Sequence, residues 1–401
     1  MKIAYFLLSF LIIIAIESNG QSLPTGQEVR YNPISTAVPF LSITPDSRSG
    51  AMGDVGAATA VDANAQHSNP SKYAFASDKW GIGVSYAPWL RQLVSDVNLA
   101  YLSGFYKLDS VQSIGGSLRY FNMGKIAMTD QSGVPAGIAS PNEFALDFSY
   151  SRKLSDNFSG GVALRYIRSD LSGRFGGSLI GQENRSAGNA VATDVSFYYH
   201  NRLGAEGSPN TIAAGINLSN IGSKISYNQG STKEFLPANM RLGTTFTSQL
   251  DETNSLALSL DLNKLLVPTP SLATLDANGS LIVLPNNNSN KSVISSVFSS
   301  FTDAPGGLNE ELKEYTLSFG AEYWYRKQFA LRTGYFNEAQ NKGNRKYFTA
   351  GVGLKLSVAT VDVSYVVPID HNNPLANTVR FSLLFNTDSF SGKKADAGTK
   401  L

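Results

Sequence analysis

Apolar and polar residues alternate along most of this chain. In Trp80–Ala87 every second residue is large and apolar, and the residues between them are small. The same period of two recurs in Phe144–Ser151, Leu256–Leu262 and Val361–Tyr365. This period is typical of β-strands whose two faces meet different surroundings. Fourteen such stretches lie near residues 80–87, 96–108, 113–123, 143–154, 158–168, 190–200, 211–227, 236–247, 255–263, 314–325, 329–336, 346–356, 361–367 and 377–385.

The connections between these stretches alternate in length. One set is short, as in Ser155–Asn157 and Arg326–Gln328, and the other is long, as in Gly124–Asn142 and Lys264–Lys313. A soluble β-sandwich also alternates apolar and polar residues, but it has no reason to sort its loops in this way. Short turns on one side, long loops on the other and an even strand number are typical of bacterial outer-membrane proteins. The sequence therefore predicts an all-β fold, a transmembrane antiparallel barrel of about fourteen strands.

The composition agrees with a barrel and removes several classes of function. Only 16% of the residues are charged, against about 25% in an average soluble domain. The net charge of +2 gives no reason to expect a nucleic-acid partner. The chain has no cysteine, which excludes disulfides and thiolate chemistry, and its three histidines, His67, His200 and His371, are far apart. We therefore expect neither a metal centre nor a cofactor.

The N-terminus has the pattern of an export signal. Lys2 precedes the apolar run Ile3–Ile16, and the small residues Ser18 and Gly20 follow it. We predict a cleaved signal peptide over residues 1–20, with the mature chain starting near Gln21; the alternative is a retained anchor. No later segment has about 18 consecutive apolar residues, so no transmembrane helix is expected after it.

The region before the first strand differs from the rest of the chain. Residues 21–79 show little alternation, and Ser47–Ala60 is rich in Gly and Ala and could form one tight helix. Small residues allow close packing, so we predict that residues 21–79 form a hatch inside the barrel of residues 80–385. His67 is interpreted as a residue of this hatch rather than as a ligand. Residues 386–401 are predicted to be a polar periplasmic tail.

The small, polar face of each predicted strand must point inward, and it carries charges of both signs. A mixture of signs argues against a strongly ion-selective pore, so we expect these charges to hold the wall together. Three hairpins place opposite charges at equal distances from the turn, which predicts the pairs Asp147–Arg165, Arg241–Asp261 and Glu322–Arg332, with Leu242 opposite Leu260 on the outside. The inward charges are predicted to be Asp96, Arg119, Asp147, Arg165, Asp194, Arg241, Asp261, Glu322, Arg332, Asp362 and Arg380.

One connection, Lys264–Lys313, is far longer than the others. Loops beyond about 15 residues are usually functional. This loop contains two apolar stretches, which suggests a protein interface or a hydrophobic ligand mouth. The alternative is that the loop folds over its own barrel as a lid. The residues predicted to contact a partner are Leu281, Ile282, Val283, Leu284, Val293, Ile294, Val297, Phe298 and Phe301.

Several blocks resemble known outer-membrane families. The Gly- and Ala-rich region ending in Asn69-Pro70 resembles the N-terminal hatch of the FadL-type fatty-acid channels. The family usually has Ala as the third residue of this Asn-Pro motif, where this chain has Ser71. More specifically, Leu236–Gly243, Asp261–Pro270 and the region Glu322–Phe336 resemble the PorV proteins of the type IX secretion system. The block Asp261–Pro270 favours PorV over its relative PorQ.

This resemblance implies a function without catalysis. PorV-like barrels bind the C-terminal signal domain of secreted cargo at the SprA/Sov-type translocon. They deliver it to the PorU-type sortase and attachment complex, which joins it to surface lipopolysaccharide. The alternative is a FadL-type channel for hydrophobic compounds. A lipid hydrolase is a weaker hypothesis, because the chain has no Gly-x-Ser-x-Gly motif, and His200 and His371 lie in connections on opposite sides of the predicted barrel.

Overall fold

A computed structural model shows the fold over most of the chain. It describes residues 32–91, 94–129, 132–173, 186–204, 210–227, 233–270, 273–275, 281–283, 291–357, 359–369, 375 and 378–386. The predicted signal peptide, Leu284, His371 and nearly all of the predicted tail lie outside these residues. None of the helices in the described ranges has the length and apolar character needed to cross a membrane.

The described part of the chain forms eighteen strands. They are β1 (Trp80–Pro88), β2 (Val97–Lys107), β3 (Gln112–Met123), β4 (Ile126–Thr129), β5 (Pro135–Ala139), β6 (Asn142–Lys153), β7 (Phe158–Asp170), β8 (Gly188–Leu203), β9 (Asn210–Gly222), β10 (Asn239–Gln249), β11 (Ser255–Leu265), β12 (Ala273–Leu275), β13 (Leu281–Val283), β14 (Tyr315–Tyr325), β15 (Phe329–Asn337), β16 (Lys346–Lys355), β17 (Thr360–Pro368) and β18 (Val379–Asn386).

Fourteen of these strands close into one antiparallel barrel. Neighbours along the wall follow chain order, and β18 pairs with β1 to complete the ring. The predicted fourteen-stranded antiparallel barrel is therefore confirmed. The remaining strands form two small hairpins, β4–β5 and β12–β13, within long connections, and the sequence pattern did not predict them.

The alternation of residues along each strand separates an outer face from an inner one. On β1 the large apolar residues Ile82, Val84 and Tyr86 are exposed on the outside, where a membrane would cover them. The strand β2 differs, because its inward residues include Leu99, Tyr101 and Phe105, which are buried inside. The predicted inward charge Asp96 precedes β2 and is not part of the strand.

Residues 32–79, called the N-terminal segment below, contact the inner face of the barrel. The segment contains short helices at Pro39–Ser42, Ser47–Ala51, Ala65–Ser68 and Pro70–Phe75. The expectation of one helix over Ser47–Ala60 is wrong. Gly53 and Asp54 have φ angles of 69° and 67°, and left-handed backbone of this kind cannot continue a right-handed helix.

The strand β9 contains a bulge opposite Asp194. Thr193 pairs with Ile221 and Val195 pairs with Leu218, so two residues of β9 oppose one residue of β8. Asn220, one of these two, has a φ of 60°. The bulge bends the strand, and β9 ends at Gly222 rather than near residue 227 as predicted.

Candidate functional site

The first charged cluster of the inner wall is centred on Arg165. Asp147 lies opposite Arg165 in the register of β6 and β7, and Arg165 Nε donates to Asp147 Oδ1 at 2.5 Å. Arg165 Nη2 also donates to Asp194 Oδ2 at 3.0 Å, and Nη1 donates to Asn220 Oδ1. One guanidinium on β7 thus contacts three further strands, β6, β8 and β9, because the bulge places Asn220 beside it.

The second cluster is centred on Arg332. Glu322 lies opposite Arg332 and accepts from its Nε at 2.7 Å, while Asp362 accepts from its Nη1 at 2.6 Å. Arg48 of the N-terminal segment donates to both oxygens of Glu322, at 2.9 and 2.7 Å, and to Asp62 at 2.9 Å. Sequence reasoning missed Arg48, since its partner is 274 residues away.

The third predicted pair, Arg241 with Asp261, has a different register from the one predicted. Arg241 lies opposite Asn263, Asp261 lies opposite Gly243, and Leu242 lies opposite Leu262 rather than Leu260. The ion pair is therefore diagonal, with 3.7 Å between Arg241 Nη1 and Asp261 Oδ2. The turn between β10 and β11 explains the shift. It is closed by Asp251, whose Oδ1 accepts from the backbone N–H groups of Thr253 and Asn254.

The predicted hatch residues Asn69 and Pro70 join the N-terminal segment to the wall. Asn69 Nδ2 donates to Ala57 O at 2.9 Å and to Phe197 O of β8 at 3.0 Å. Its Oδ1 accepts from the backbone N–H of Ser71 at 3.1 Å, which caps the short helix that begins at Pro70. The Asn-Pro pair therefore begins the helix at Pro70, and Asn69 also connects that helix to Ala57 and to β8.

His67 contacts a buried arginine of the wall. Arg119 Nη2 lies 2.7 Å from His67 Nδ1, and a guanidinium can only donate. Nδ1 must therefore accept, and the proton of the neutral ring is on Nε2. Burial, together with the nearby charge of Arg119, lowers the pKa of His67 well below its usual value. No group of three His, Asp or Glu side chains in the described ranges could hold a metal ion.

Among the residues that the structure describes, the N-terminal segment contributes to two cavities inside the barrel. The first, of about 310 Å³, lies on the side of the long connections and is lined by polar side chains such as Asn217 and Asn263 and by apolar ones such as Leu41 and Phe336. The second, of about 360 Å³, lies on the side of the short turns, where Arg48 and Glu322 contribute to its lining. Each lining therefore combines charged side chains with apolar ones.

The long connection between β11 and β14, residues 266–314, is called the long segment below. Of its predicted contact residues, Ile294 and Phe298 are 69% and 73% exposed on the helix Val293–Ser299. Val297, on the same helix, instead packs against a cluster that includes Leu266 and Val267. Phe301 is 36% exposed. Leu281, Ile282 and Val283 form β13, which pairs with β12.

A second exposed pair was missed by the sequence analysis. Leu308 and Leu312 are 73% and 60% exposed on the helix Leu308–Lys313. They are four residues apart and therefore lie on one helix face. The spacing of four residues could have predicted this helix, but the sequence analysis placed Leu308–Lys313 only within the connection Lys264–Lys313. Together, Ile294, Phe298, Leu308 and Leu312 are called the exposed apolar set below.

The closed barrel, its apolar outer face and its internal N-terminal segment define an integral outer-membrane β-barrel protein. The family described as "Type IX secretion system protein PorV" matches residues 26–272. This is more than half of the chain, which therefore belongs to the PorV family and is an outer-membrane component of the type IX secretion system. No curated protein matches the chain.

Solved structures with a similar course of the chain are barrels of low sequence identity. The Ralstonia pickettii toluene transporter TbuX is 13% identical, with a TM-score of 0.46, and the match covers 85% of this chain and 97% of that one. A Pseudomonas aeruginosa FadL homologue is 12% identical, with a TM-score of 0.47, and the match covers 90% of this chain and 100% of that one.

Proposed function

We propose that this protein binds the C-terminal signal domain of secreted cargo at the translocon and delivers it to the sortase and attachment complex. The partners would be an SprA/Sov-type translocon barrel, a PorU-type sortase with its attachment complex, and the cargo signal domains. Lipopolysaccharide of the outer membrane would surround the barrel. Membership of the PorV family supports the place in the secretion system, and the exposed apolar set supports a role in binding.

The exposed apolar set is the observation that carries this proposal. Leu308 and Phe298 lie outside the barrel wall, where neither strand pairing nor the wall covers them. Apolar side chains in water gain about 25 cal/mol per Å² when a partner covers them. A long segment that presents several such groups on a rigid barrel is suited to protein binding.

The charged interior supports a binding role over the alternatives. Charged groups in the lining of the first cavity, such as Arg165 and Glu314, are unfavourable for a hydrophobic solute. His67 is also unsuited to act as a general base, because Nδ1 accepts from Arg119 and Nε2 carries the proton. We therefore propose a non-enzymatic role. The N-terminal segment would be a plug that closes the lumen.

Replacement of the exposed apolar set tests the proposal. The variant Ile294→Ser/Phe298→Ser/Leu308→Ser/Leu312→Ser retains Val297, which packs on the barrel. We expect a folded, heat-modifiable barrel that co-purifies poorly with the translocon and secretes less cargo. Co-purification and secretion at the wild-type level would contradict the proposal.

A matched control uses exposed leucines on the other side of the membrane. Leu108, Leu154 and Leu250 lie in short turns and are also exposed. The variant Leu108→Ser/Leu154→Ser/Leu250→Ser removes exposed apolar side chains of the same kind from the short-turn side. It should leave co-purification and secretion unchanged, and an equal loss in both variants would show that the effect is not specific to the long segment.

A further inference from the structure

A buried cluster of five charges lies at the base of the long segment. Lys264 Nζ is 2.7 Å from both Glu311 Oε1 and Glu314 Oε2. Lys342 Nζ donates to Glu310 Oε1 at 2.6 Å and to Glu314 Oε1 at 3.0 Å. All five side chains are buried. Three carboxylates and two ammonium groups thus form one connected network.

The cluster joins parts of the chain that are distant in sequence. Lys264 belongs to the wall strand β11, Glu310, Glu311 and Glu314 belong to the long segment, and Lys342 belongs to the connection between β15 and β16. Thr269 Oγ1, also in the long segment, donates to Glu314 Oε1 at 2.7 Å. The long segment is therefore attached both to its own strand and to the neighbouring long connection.

The same cluster reaches the N-terminal segment through Asn32. Asn32 Nδ2 donates to Glu310 Oε1 at 3.1 Å and to Pro270 O at 3.1 Å. The backbone N–H of Asn32 donates to Asn341 O at 2.9 Å. Glu310 Oε1 is thus shared by Lys342 and Asn32. A movement of Glu310 would remove a contact from the N-terminal segment at the same moment.

Charged contacts at this position have a different consequence from apolar ones. Burying ions costs desolvation energy that largely offsets their attraction, so a buried ion cluster adds little net stability. If the cluster opens, water hydrates its carboxylate and ammonium groups. An apolar contact at the same position would instead expose hydrophobic surface to water on opening. A base made of ion pairs can therefore open and close without a large cost in either state.

We propose that Lys264, Glu310, Glu311, Glu314 and Lys342 form a reversible clasp that couples the position of the long segment to the N-terminal segment. In the closed state the clasp holds the helix Leu308–Lys313 and Glu314 against Lys264 of β11 and holds Asn32 beside them. Opening the clasp frees the helix Leu308–Lys313 from the wall and weakens the attachment of the N-terminal segment at Asn32.

The helix Leu308–Lys313 connects the clasp with the exposed apolar set. Glu310 and Glu311 face the clasp, while Leu308 and Leu312 are exposed on the other side of the helix. A partner that covers Leu308 and Leu312 therefore contacts the helix that forms the clasp. Only this last point, which concerns what opens the clasp, rests on the proposed function.

Cysteine reactivity in the purified barrel tests the clasp without any partner. The chain has no cysteine, so Ser296→Cys reports on the long segment and Ala37→Cys reports on the N-terminal segment; both positions are buried. The clasp variant is Glu314→Gln, which leaves Lys264 and Lys342 undercompensated. We expect the rate of maleimide labelling at both reporters to rise by about tenfold or more.

The matched control is Glu338→Gln, which removes a carboxylate that pairs with Arg345 in the same region but outside the clasp. It should leave both labelling rates unchanged. The milder variant Asn32→Ala should raise labelling at Ser296→Cys as well as at Ala37→Cys, because coupling between two sites is reciprocal.

The outcomes separate the clasp from the proposed function. If Glu314→Gln changes neither rate in a heat-modifiable barrel, there is no clasp. If it raises labelling only at Ser296→Cys, the cluster anchors the long segment and the coupling is wrong. Neither outcome depends on a translocon or on cargo, so the binding role can fail while the clasp stands, and the reverse also holds.

Discussion

The carboxylate of Asp261 on β11 accepts a hydrogen bond from the backbone N–H of Gly56 at 2.7 Å. The same Oδ2 atom accepts from the N–H of Ala57 at 2.9 Å. Gly243, opposite Asp261 on β10, allows this approach, because a Cβ there would lie 2.8 Å from Ala57 Cβ. A wall carboxylate therefore satisfies two backbone donors of the N-terminal segment, in addition to its ion pair with Arg241.

Removing this carboxylate should loosen the N-terminal segment. In Asp261→Ala two buried N–H groups and Arg241 lose a partner, and we expect a loss of about 3–5 kcal/mol in unfolding free energy. Urea unfolding of the purified barrel measures the loss, and protease sensitivity within residues 32–79 locates it. Asp156→Ala, in an exposed turn, should change neither quantity. Equal stability of the two variants would contradict this role for Asp261.

Arg332 should be among the most important single charges of the wall. Arg332→Ala leaves Glu322 and Asp362 without their shared partner, so we expect a loss of about 3–5 kcal/mol. Arg326→Ala, in the exposed turn before β15, should cost less than about 0.5 kcal/mol. Urea unfolding of the two purified variants compares them directly. A loss below about 1 kcal/mol for Arg332→Ala would show that the cluster is hydrated in the membrane rather than buried.

Replacing an exposed leucine by arginine should destabilise the protein in the wall but not in the long segment. Leu164 on β7 and Leu308 are 67% and 73% exposed, respectively. Leu164→Arg places a charge against lipid and should cost about 2–4 kcal/mol, whereas Leu308→Arg meets water and should cost about zero. Refolding yield into lipid vesicles and urea midpoints give both values. If Leu164→Arg is neutral, this face of β7 does not contact lipid.

A disulfide can fix the N-terminal segment to the wall. A Cβ on Gly83 of β1 would lie 3.4 Å from Ala63 Cβ, near the separation of about 3.5–4.5 Å that a disulfide needs. It would also lie 2.9 Å from Asn64 Oδ1, so the Asn64 side chain has to shift slightly. With no native cysteine, Ala63→Cys/Gly83→Cys should oxidise without mispairing. We expect cargo secretion to stay within about twofold of the reduced state, because the clasp lies at the other end of the segment.

The disulfide variant also separates a binding protein from a channel. A solute channel would have to move its plug, so locking Ala63 to Gly83 would abolish transport. Each single-cysteine variant controls for the substitution itself, and dithiothreitol should reverse any effect of the lock. Loss of secretion in the oxidised double variant alone would show that the N-terminal segment moves during secretion, and it would contradict the expectation stated above.

The sequence by itself determined the barrel. Alternation with a period of two is a local property, since successive side chains of a strand point to opposite faces. The fourteen strands of the wall could therefore be predicted, whereas the small hairpins β4–β5 and β12–β13 could not. The register of Asp147 with Arg165 and of Glu322 with Arg332 also follows from short turns. Before β11 the turn is longer, since β10 ends at Gln249 and β11 begins at Ser255, and there the same reasoning placed Asp261 opposite the wrong residue.

Only the tertiary structure decided what fills the barrel and what holds the long segment. Hydrogen bonds join residues more than 200 positions apart in the sequence: Arg48 with Glu322, Gly56 with Asp261, and Asn32 with Glu310. No local period records such contacts, because they depend on where the closed wall brings the inner faces of distant strands. The inward aromatic residues of β2 show the same limit. Phe105 is explained by Tyr73 of the N-terminal segment, which stacks on it with 5.0 Å between the ring centroids, and not by the strand itself.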